Sequence, residues 1–404
     1  MSGHYSTRGF FRQMPNALLA RYFLAHEVLH DFDFVAMKET KVEPLFTAWM
    51  AVPEAQRAKM EVELREISDM SNEKGVKAII DESEFHLDEE GEHTAFIALL
   101  MALPGHHDRA MTAFLDFPSL WKGGTRLYHA DTLSYWRKRK NMPRKQASVQ
   151  PGNIEALCAR IKGYYQAADG RAMRCRVEPY RRGELEYFFA FPEDYALNAP
   201  EWEGDELALQ SRHPPFEIIF VWDAKDGRLD LYLSGDKKAV EPLQAIFAET
   251  ILGCDELPED PADDRVYELL PLRRKDFAFT WEPASGIESV RVKKLRLALN
   301  KDRRLTLEAN PKNDPQAVYK LLETLALQDH EYFVDQVGIT ANVRLNSTAP
   351  AKTVTFQLTF PNSCSLKYDE VGLKLRAMLE ASGIEPKPPE GEAAEAQVNA
   401  SALA

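Results

Sequence analysis

Residues 216–235, FEIIFVWDAKDGRLDLYLSG, decide the class of fold. The leucines of RLDLYL alternate with Asp and Tyr, which is the pattern of a strand with one buried face. Asp226 and Gly227, between the two apolar runs, form a hairpin turn signal. The stretch therefore predicts two antiparallel strands. The segment that follows, KAVEPLQAIFAETILG, predicts a helix with Pro242 in its first turn.

The same order of strand, strand and helix occurs twice more. The strand pairs and helices are SVRVKKLRLALN (289–300) with RRLTLEAN (303–310) and DPQAVYKLLETLAL (314–327), then QVGITANVRL (336–345) with KTVTFQLTF (352–360) and DEVGLKLRAMLEASG (369–383). Asp314 is the expected N-cap of the first of these helices, with Pro315 at its first position. In VRVKKLRLAL the apolar parity shifts at Lys293 and Lys294, which predicts a β-bulge. An earlier pair, AMRCRVEPY and ELEYFFAF, has no helical pattern directly after it.

The first hundred residues have a different period. Stretches such as MPNALLARYFLAHEVLHDF and EHTAFIALLMAL place apolar residues three and four positions apart, which predicts helices. The expected fold class is α+β, with a helical N-terminal domain followed by an antiparallel sheet region built of strand-strand-helix units. The expected parts are a helical domain (1–118), a basic aromatic-rich linking segment (119–172), two α+β subdomains (173–258 and 259–385) and a flexible tail (386–404).

Charge is distributed unevenly along the chain. The 404 residues carry a net charge of -13, which argues against a surface that is basic throughout, so any polyanion site has to be local. Residues 1–100 carry -8, residues 101–183 carry +10 and the remainder carries -15. A basic block between two acidic ones indicates either a dedicated anion-facing surface or an electrostatic interface between domains.

Other sequence features predict the environment of the protein. No apolar run approaches eighteen residues and the N-terminus lacks an apolar signal region, so we expect a cytoplasmic protein with no membrane contact. The four cysteines, Cys158, Cys175, Cys254 and Cys364, form no C-x-x-C pair, which favours free thiols.

Residues 119–146, SLWKGGTRLYHADTLSYWRKRKNMPRKQ, interleave cations with aromatic side chains. Arg and Lys neutralise phosphates, and aromatic rings stack on bases in single-stranded sites. The segment predicts a nucleic-acid contact made by Lys122, Arg126, Tyr135, Trp136, Arg137, Lys138, Arg139, Lys140, Arg144 and Lys145. Two alternatives remain open: the run 137–140 is a solvated helix end ahead of Pro143, or it is a docking surface for the acidic N-terminal domain.

His26, Glu27 and His30 form a second candidate site, within AHEVLHDF (25–32). On a helix, two histidines four residues apart lie one above the other, where both can bind one metal ion. The motif resembles the His-Glu-x-x-His of zinc-dependent peptidases, which implies His26 and His30 as zinc ligands and Glu27 as the general base. The alternative is that both histidines belong to the apolar side of a helix and hydrogen-bond to carboxylates or carbonyls.

These patterns favour a binding or accessory protein over an enzyme. The leading hypothesis is a non-enzymatic protein without a cofactor that contacts DNA, RNA or a partner protein through the basic aromatic-rich segment. The alternatives are a zinc-dependent hydrolase centred on His26, Glu27 and His30, and a protein-protein scaffold with no nucleic-acid contact.

Overall fold

The structure, a computed structural model, describes residues 5–86, 91–235, 237–257, 266–299, 303–325, 332–345 and 350–385. The expected tail, 386–404, lies outside the described residues. The chain divides into two compact units, which comprise the described parts of Met1–Asp131 with Tyr180–Gly183, and of Thr132–Pro179 with Glu184–Ala404. No helix in the described ranges is both long enough and apolar enough to cross a membrane.

The first unit is helical, as the three- and four-residue periodicity predicts. Its helices are α1 (Thr7–Gln13), α2 (Asn16–Ala25), α3 (Glu43–Met50), α4 (Glu54–Met70), α5 (Glu73–His86), α6 (Glu92–Ala102), α7 (His106–Asp116) and α8 (Pro118–Thr132, which extends one residue beyond the unit). One apolar core joins these helices. It contains Phe11, Phe23, Trp49 and Leu64, whose side chains are fully or almost fully buried. Removing such large aromatic surfaces from water is the main source of stability of this unit.

The expected helix through residues 26–30 is wrong. α2 ends at Ala25 and is followed by Glu27 and Leu29, which have φ of 56° and 57°. A positive φ is incompatible with a right-handed helix and is uncommon for residues other than glycine. Apolar spacing alone did not reveal this change of backbone conformation.

The second unit is built on one large antiparallel sheet and a separate hairpin. The strands are β1 (Trp136–Arg139), β2 (Val177–Arg182, whose last three residues belong to the first unit), β3 (Leu185–Ala190), β4 (Leu197–Glu203), β5 (Glu206–Arg212), β6 (Ile218–Asp223), β7 (Arg228–Leu233), β8 (Ile287–Ala298), β9 (Arg304–Glu308), β10 (Phe333–Val343), β11 (Lys352–Thr359) and β12 (Ser363–Cys364). Among the described residues ten strands pair in the order β2-β3-β6-β7-β1-β12-β11-β10-β8-β9, and β4 pairs with β5 in a two-stranded sheet. One sheet therefore runs through both of the segments expected as subdomains.

Helices cover this sheet in two groups, one on each face. They are α9 (Pro151–Asp169), α10 (Val240–Thr250), α11 (Ala317–Thr324) and α12 (Glu370–Ala381). α9 and α10 share a core with β3, β6 and β7, whereas α11 and α12 share a second core with β8, β10 and β11. The α+β class and the three strand-strand-helix units are thus confirmed: β6-β7-α10, β8-β9-α11 and β10-β11-α12.

Two local predictions have different outcomes. The bulge is confirmed, because Gly338 lies opposite Lys294 and Ile339 opposite Val292, which leaves Lys293 as the extra residue of β8. The start of α11 is wrong: the helix begins at Ala317, and the Asp314 carboxylate accepts a hydrogen bond from the Gln316 backbone N–H in a turn before it. Asp and Asn side chains readily form such turns in place of a helix cap.

Candidate functional site: an exposed polar groove on the sheet

The residues nominated from the basic segment lie in different environments. Lys122 and Arg126 are on α8, in the first unit. The others belong to the second unit, where 136–139 is a strand and not the end of a helix. β1 lies inside the large sheet between β7 and β12, with Arg137 opposite Leu231 and Trp136 opposite Cys364. The interpretation as a solvated helix end is therefore wrong.

The position of β1 sends alternate side chains into the protein. Trp136 and Lys138 are each 1% exposed, while Arg137 and Arg139 are half-buried on the other face. Trp136 packs against Tyr232 and Tyr368, at ring-centroid distances of 5.5 and 5.1 Å. Neither Trp136 nor Lys138 reaches the protein surface.

Lys138 is held in the interior by a carboxylate. Its Nζ lies 2.5 Å from Oε1 of Glu385, which is also 1% exposed, and Nζ of Lys140 lies 3.7 Å from the same oxygen. Burial raises the pKa of Glu385, but the charges of Lys138 and Lys140 outweigh it, so the pKa lies below its ordinary value. Lys138 therefore compensates a buried charge.

The remaining residues of the segment differ in exposure. Burial lowers the pKa of the half-buried Arg137, and Arg139 donates from Nη1 to Oε1 of Gln244 at 3.5 Å. Tyr135 is 54% exposed, and Arg144 and Lys145 are exposed on the extended chain after β1. Within the second unit, few side chains of this segment are therefore exposed to solvent.

The second candidate, His26, Glu27 and His30, lacks the helix that the zinc-binding interpretation requires. His26 directly follows the last residue of α2, and its Nε2 lies 2.8 Å from Oε2 of Glu63. The same oxygen accepts a hydrogen bond of 2.9 Å from the Tyr22 hydroxyl. Within the described residues, no group of three His, Cys, Asp or Glu side chains is placed to hold a metal ion. The environment of His26 matches the alternative of a histidine hydrogen-bonded to a carboxylate.

A groove of about 850 Å³ lies on the polar face of β8 to β11. Val292 and Leu295 of β8, one on each side of the bulge, enter the core, whereas Ser289, Arg291 and Lys293 line the open face. The bulge adds Lys293 to that face beside Lys294, so two successive lysines lie on the same side of the strand. Gly338 of β10 makes this arrangement possible, because a Cβ there would lie 2.9 Å from Cβ of Lys294.

The floor of the groove is a network of hydroxyl and amide groups. The Asn342 amide donates to Oγ of Ser289 at 3.1 Å, and its carbonyl oxygen accepts from the Thr353 hydroxyl at 2.8 Å. The hydroxyls of Thr340 and Thr355 are 3.2 Å apart. These cross-strand pairs fix the side chains in place, and their remaining donors and acceptors face the groove.

Cations form the sides of the groove. Arg291 donates from Nη1 to the backbone oxygen of Pro311 at 2.8 Å, which directs its guanidinium along the wall. Lys293 lies 2.9 Å from Glu308, and this hydrogen bond and charge lower the pKa of the Glu308 carboxyl. Lys312, on the loop after β9, is exposed at the rim. The groove therefore carries more positive than negative charge, with Arg291 and Lys312 forming no ion pair within the described part of the chain.

The chain matches no model of a protein family and no curated protein. The assignment of a function therefore rests on the geometry of the groove.

The sequence contained a signal for this groove that its interpretation missed. RVKKLR, residues 291–296, holds four cations in a strand whose bulge was itself predicted. The groove also needs Thr and Asn side chains from β10 and β11, which lie about fifty residues further along the chain in the sequence. Only the pairing of the strands brings these groups together.

Proposed function

We propose that this chain is a binding protein for nucleic acid and that the groove between β8 and β11 is its contact surface. The observation that carries the proposal is the combination, in one concave face, of Arg291, Lys293 and Lys312 with ordered hydroxyl and amide groups. Protein contacts to phosphate and sugar come mainly from Arg, Lys, Ser, Thr and Asn side chains.

The chemistry of the lining favours the sugar-phosphate backbone as the part that is bound. None of the side chains that line the groove, all of them in described residues, is aromatic, so no base can stack in it. Backbone contacts fix position and orientation but do not read base sequence. We therefore propose binding with little sequence preference and a steep dependence on salt.

The overall charge of the chain supports a confined contact. With a net charge of -13, the protein repels a polyanion except where cations concentrate. The groove is one such place, and the exposed Arg144 and Lys145 of the basic segment are a second. We assign the main contact to the groove because ordered hydroxyl and amide groups accompany the cations there.

Fluorescence anisotropy with labelled single- and double-stranded DNA and RNA, across a series of salt concentrations, tests the proposal. The groove variant is Arg291→Gln with Lys312→Gln, and the matched control is Arg144→Gln with Lys145→Gln, which removes the same charge from exposed positions of the basic segment. We expect the groove variant to weaken binding and to reduce the slope of log K against log salt by about two, one for each lost phosphate contact.

The control variant should retain the slope of the wild type. A loss confined to the control variant would instead assign the contact to the basic segment. Absence of binding to all four nucleic acids at low salt would refute the proposal.

A further inference from the structure

The hairpin formed by β4 and β5 exposes an apolar face. Trp202 lies opposite Leu207, and Pro200 lies opposite Leu209. Trp202, Leu207 and Leu209 are 71%, 59% and 69% exposed. Isolated hairpins are marginally stable in water, and an exposed cluster of large apolar side chains marks an interaction site.

The opposite face of the hairpin differs in composition and burial. Its central residues, Ala199, Glu201, Ala208 and Gln210, are half-buried, whereas the residues at its ends, Leu197, Glu203, Glu206 and Arg212, are exposed. The large apolar side chains are therefore concentrated on the more exposed of the two faces.

The two edges of the hairpin are not equivalent. Gly204 and Asp205 form a two-residue loop, and Gly204 has the positive φ, 64°, that the first position of a type II′ turn needs. Such a loop makes Glu203 and Glu206 a hydrogen-bonded pair, so on β5 the backbone N–H and C=O groups of Leu207, Leu209 and Ser211 point away from β4.

The same alternation directs the backbone nitrogen of Pro200 toward the outer edge of β4, where proline has no hydrogen to donate. The outer edge of β4 therefore lacks a donor at its centre, whereas β5 retains its outward donors and acceptors. β5 is the edge on which a further strand can pair.

The sequence of β5, ELALQSR, is complementary to itself in the antiparallel direction. When Leu209 of one chain is opposite Leu209 of a second copy, Glu206 of each chain lies opposite Arg212 of the other. The backbone N–H and C=O groups of Leu209 point away from β4, so in this alignment the two Leu209 residues form the hydrogen-bonded pair that a two-fold axis at Leu209 requires. Opposite charges directly across antiparallel strands stabilise a pair, and like charges destabilise it.

We propose that β5 is a dimerisation edge, which pairs antiparallel with β5 of a second copy of this chain about a two-fold axis at Leu209. The pairing forms about six main-chain hydrogen bonds and converts two hairpins into one four-stranded sheet. It also places Leu209 beside Leu209 and diagonally beside Leu207 of the second copy, which covers part of the apolar face.

Site-specific cross-linking tests the alignment. Leu209→Cys places two cysteines directly across the two-fold axis, whereas Leu207→Cys, the matched control on the same face and strand, places them four residues out of register. We expect mild oxidation to yield a covalent dimer for Leu209→Cys on a non-reducing gel and little for Leu207→Cys or the wild type. Equal yields for the two variants would overturn the proposed alignment.

Sedimentation velocity over a range of concentrations tests the dimer itself. Glu206→Arg replaces two attractive contacts per dimer with two repulsive ones and should raise the dissociation constant about tenfold or more. Glu155→Arg makes the same change of charge at an exposed position of α9, outside the hairpin, and should leave the dissociation constant near that of the wild type. A wild-type protein that sediments as a monomer at every concentration would overturn the proposal.

Discussion

Replacing Lys138 with methionine tests whether this lysine is structural. Met has a similar length and no charge, so Lys138→Met leaves Glu385 buried without its closest cation, which lies 2.5 Å away in the wild type. Removing one member of a buried ion pair destabilises proteins by about 3–5 kcal/mol. Because Nζ of Lys140 remains 3.7 Å from Oε1 of Glu385, we expect a value near the lower limit, about 3 kcal/mol.

A second substitution separates the cost of the unpaired charge from the loss of packing. Lys138→Met combined with Glu385→Leu removes both charges, and replacements of buried pairs by apolar residues range from neutral to about 4 kcal/mol more stable. We therefore expect the double variant to recover most of the stability that the single variant loses. Arg144→Met, at an exposed position of the same basic segment, is the control and should change stability by less than about 0.5 kcal/mol.

Urea unfolding followed by circular dichroism measures these differences, and hydrogen exchange of the β1 amides locates them. The pair also predicts a dependence on pH. The pKa of Glu385 is lowered in the folded protein, so its stabilising contribution is present above the ordinary glutamate pKa of the unfolded chain. That contribution disappears as the pH falls through the lowered pKa, and the double variant should lack this loss.

Two results would refute the reasoning about Lys138. One is a cost below about 0.5 kcal/mol for Lys138→Met, which is the range of solvent-exposed pairs. The other is a double variant that is as stable as the wild type but has lost affinity for nucleic acid, because a buried side chain with a structural role makes no contact with the ligand.

Three further predictions concern other parts of the chain. Burial raises the pKa of Glu82 to about 8, so the stability of the wild type should fall as the pH rises from about 5 to 8. Glu82→Gln should not show this fall when both proteins are compared by thermal unfolding. The Cys175 thiol hydrogen-bonds to Cys158 and lowers the pKa of Cys158 to about 7. The rate at which iodoacetamide alkylates Cys158 should therefore rise with pH around a midpoint near 7. Cys175→Ala should shift this midpoint upward, whereas Cys175→Ser should not. Gly286 has φ of 78° and a Cβ there would lie 2.0 Å from a backbone oxygen, so Gly286→Ala should destabilise the protein in urea by more than Gly235→Ala, whose φ is also positive but which has open space around it.

The sequence predicted those strands whose apolar parity is regular. The leucines 229, 231 and 233 of β7 occupy alternate positions, as do Val337, Ile339, Ala341 and Val343 of β10, so the local pattern alone is sufficient to recognise these two strands. β1 has the same alternation in the structure, but one of its two inward side chains is Lys138. A lysine is read as a core residue only when its partner is known, and Glu385 is 247 residues away in the sequence.

The candidate sites were less predictable than the fold because they depend on backbone geometry and on distant contacts. His26 and His30 have the spacing of metal ligands, yet the positive φ of Glu27 and Leu29 removes the helix that gives this spacing its meaning. The β4-β5 hairpin was missed because charged residues and the turn separate Trp202 from Leu207 and Leu209, and a proline, Pro200, precedes them. A strand with one apolar face and a turn within seven residues gives too short a pattern to recognise.

The two cation-rich strands of this protein show why residue spacing matters more than the number of consecutive charges. In a regular strand, neighbouring residues point to opposite faces, so the four successive cations 137–140 do not form one charged surface: Lys138 enters the core and Arg137 and Arg139 lie on the other side. In β8 the cations at 291 and 293 have the same parity, and the bulge brings Lys294 to their side. The less conspicuous sequence therefore places more positive charge on one face, which is the reason for assigning the proposed nucleic-acid contact to the groove.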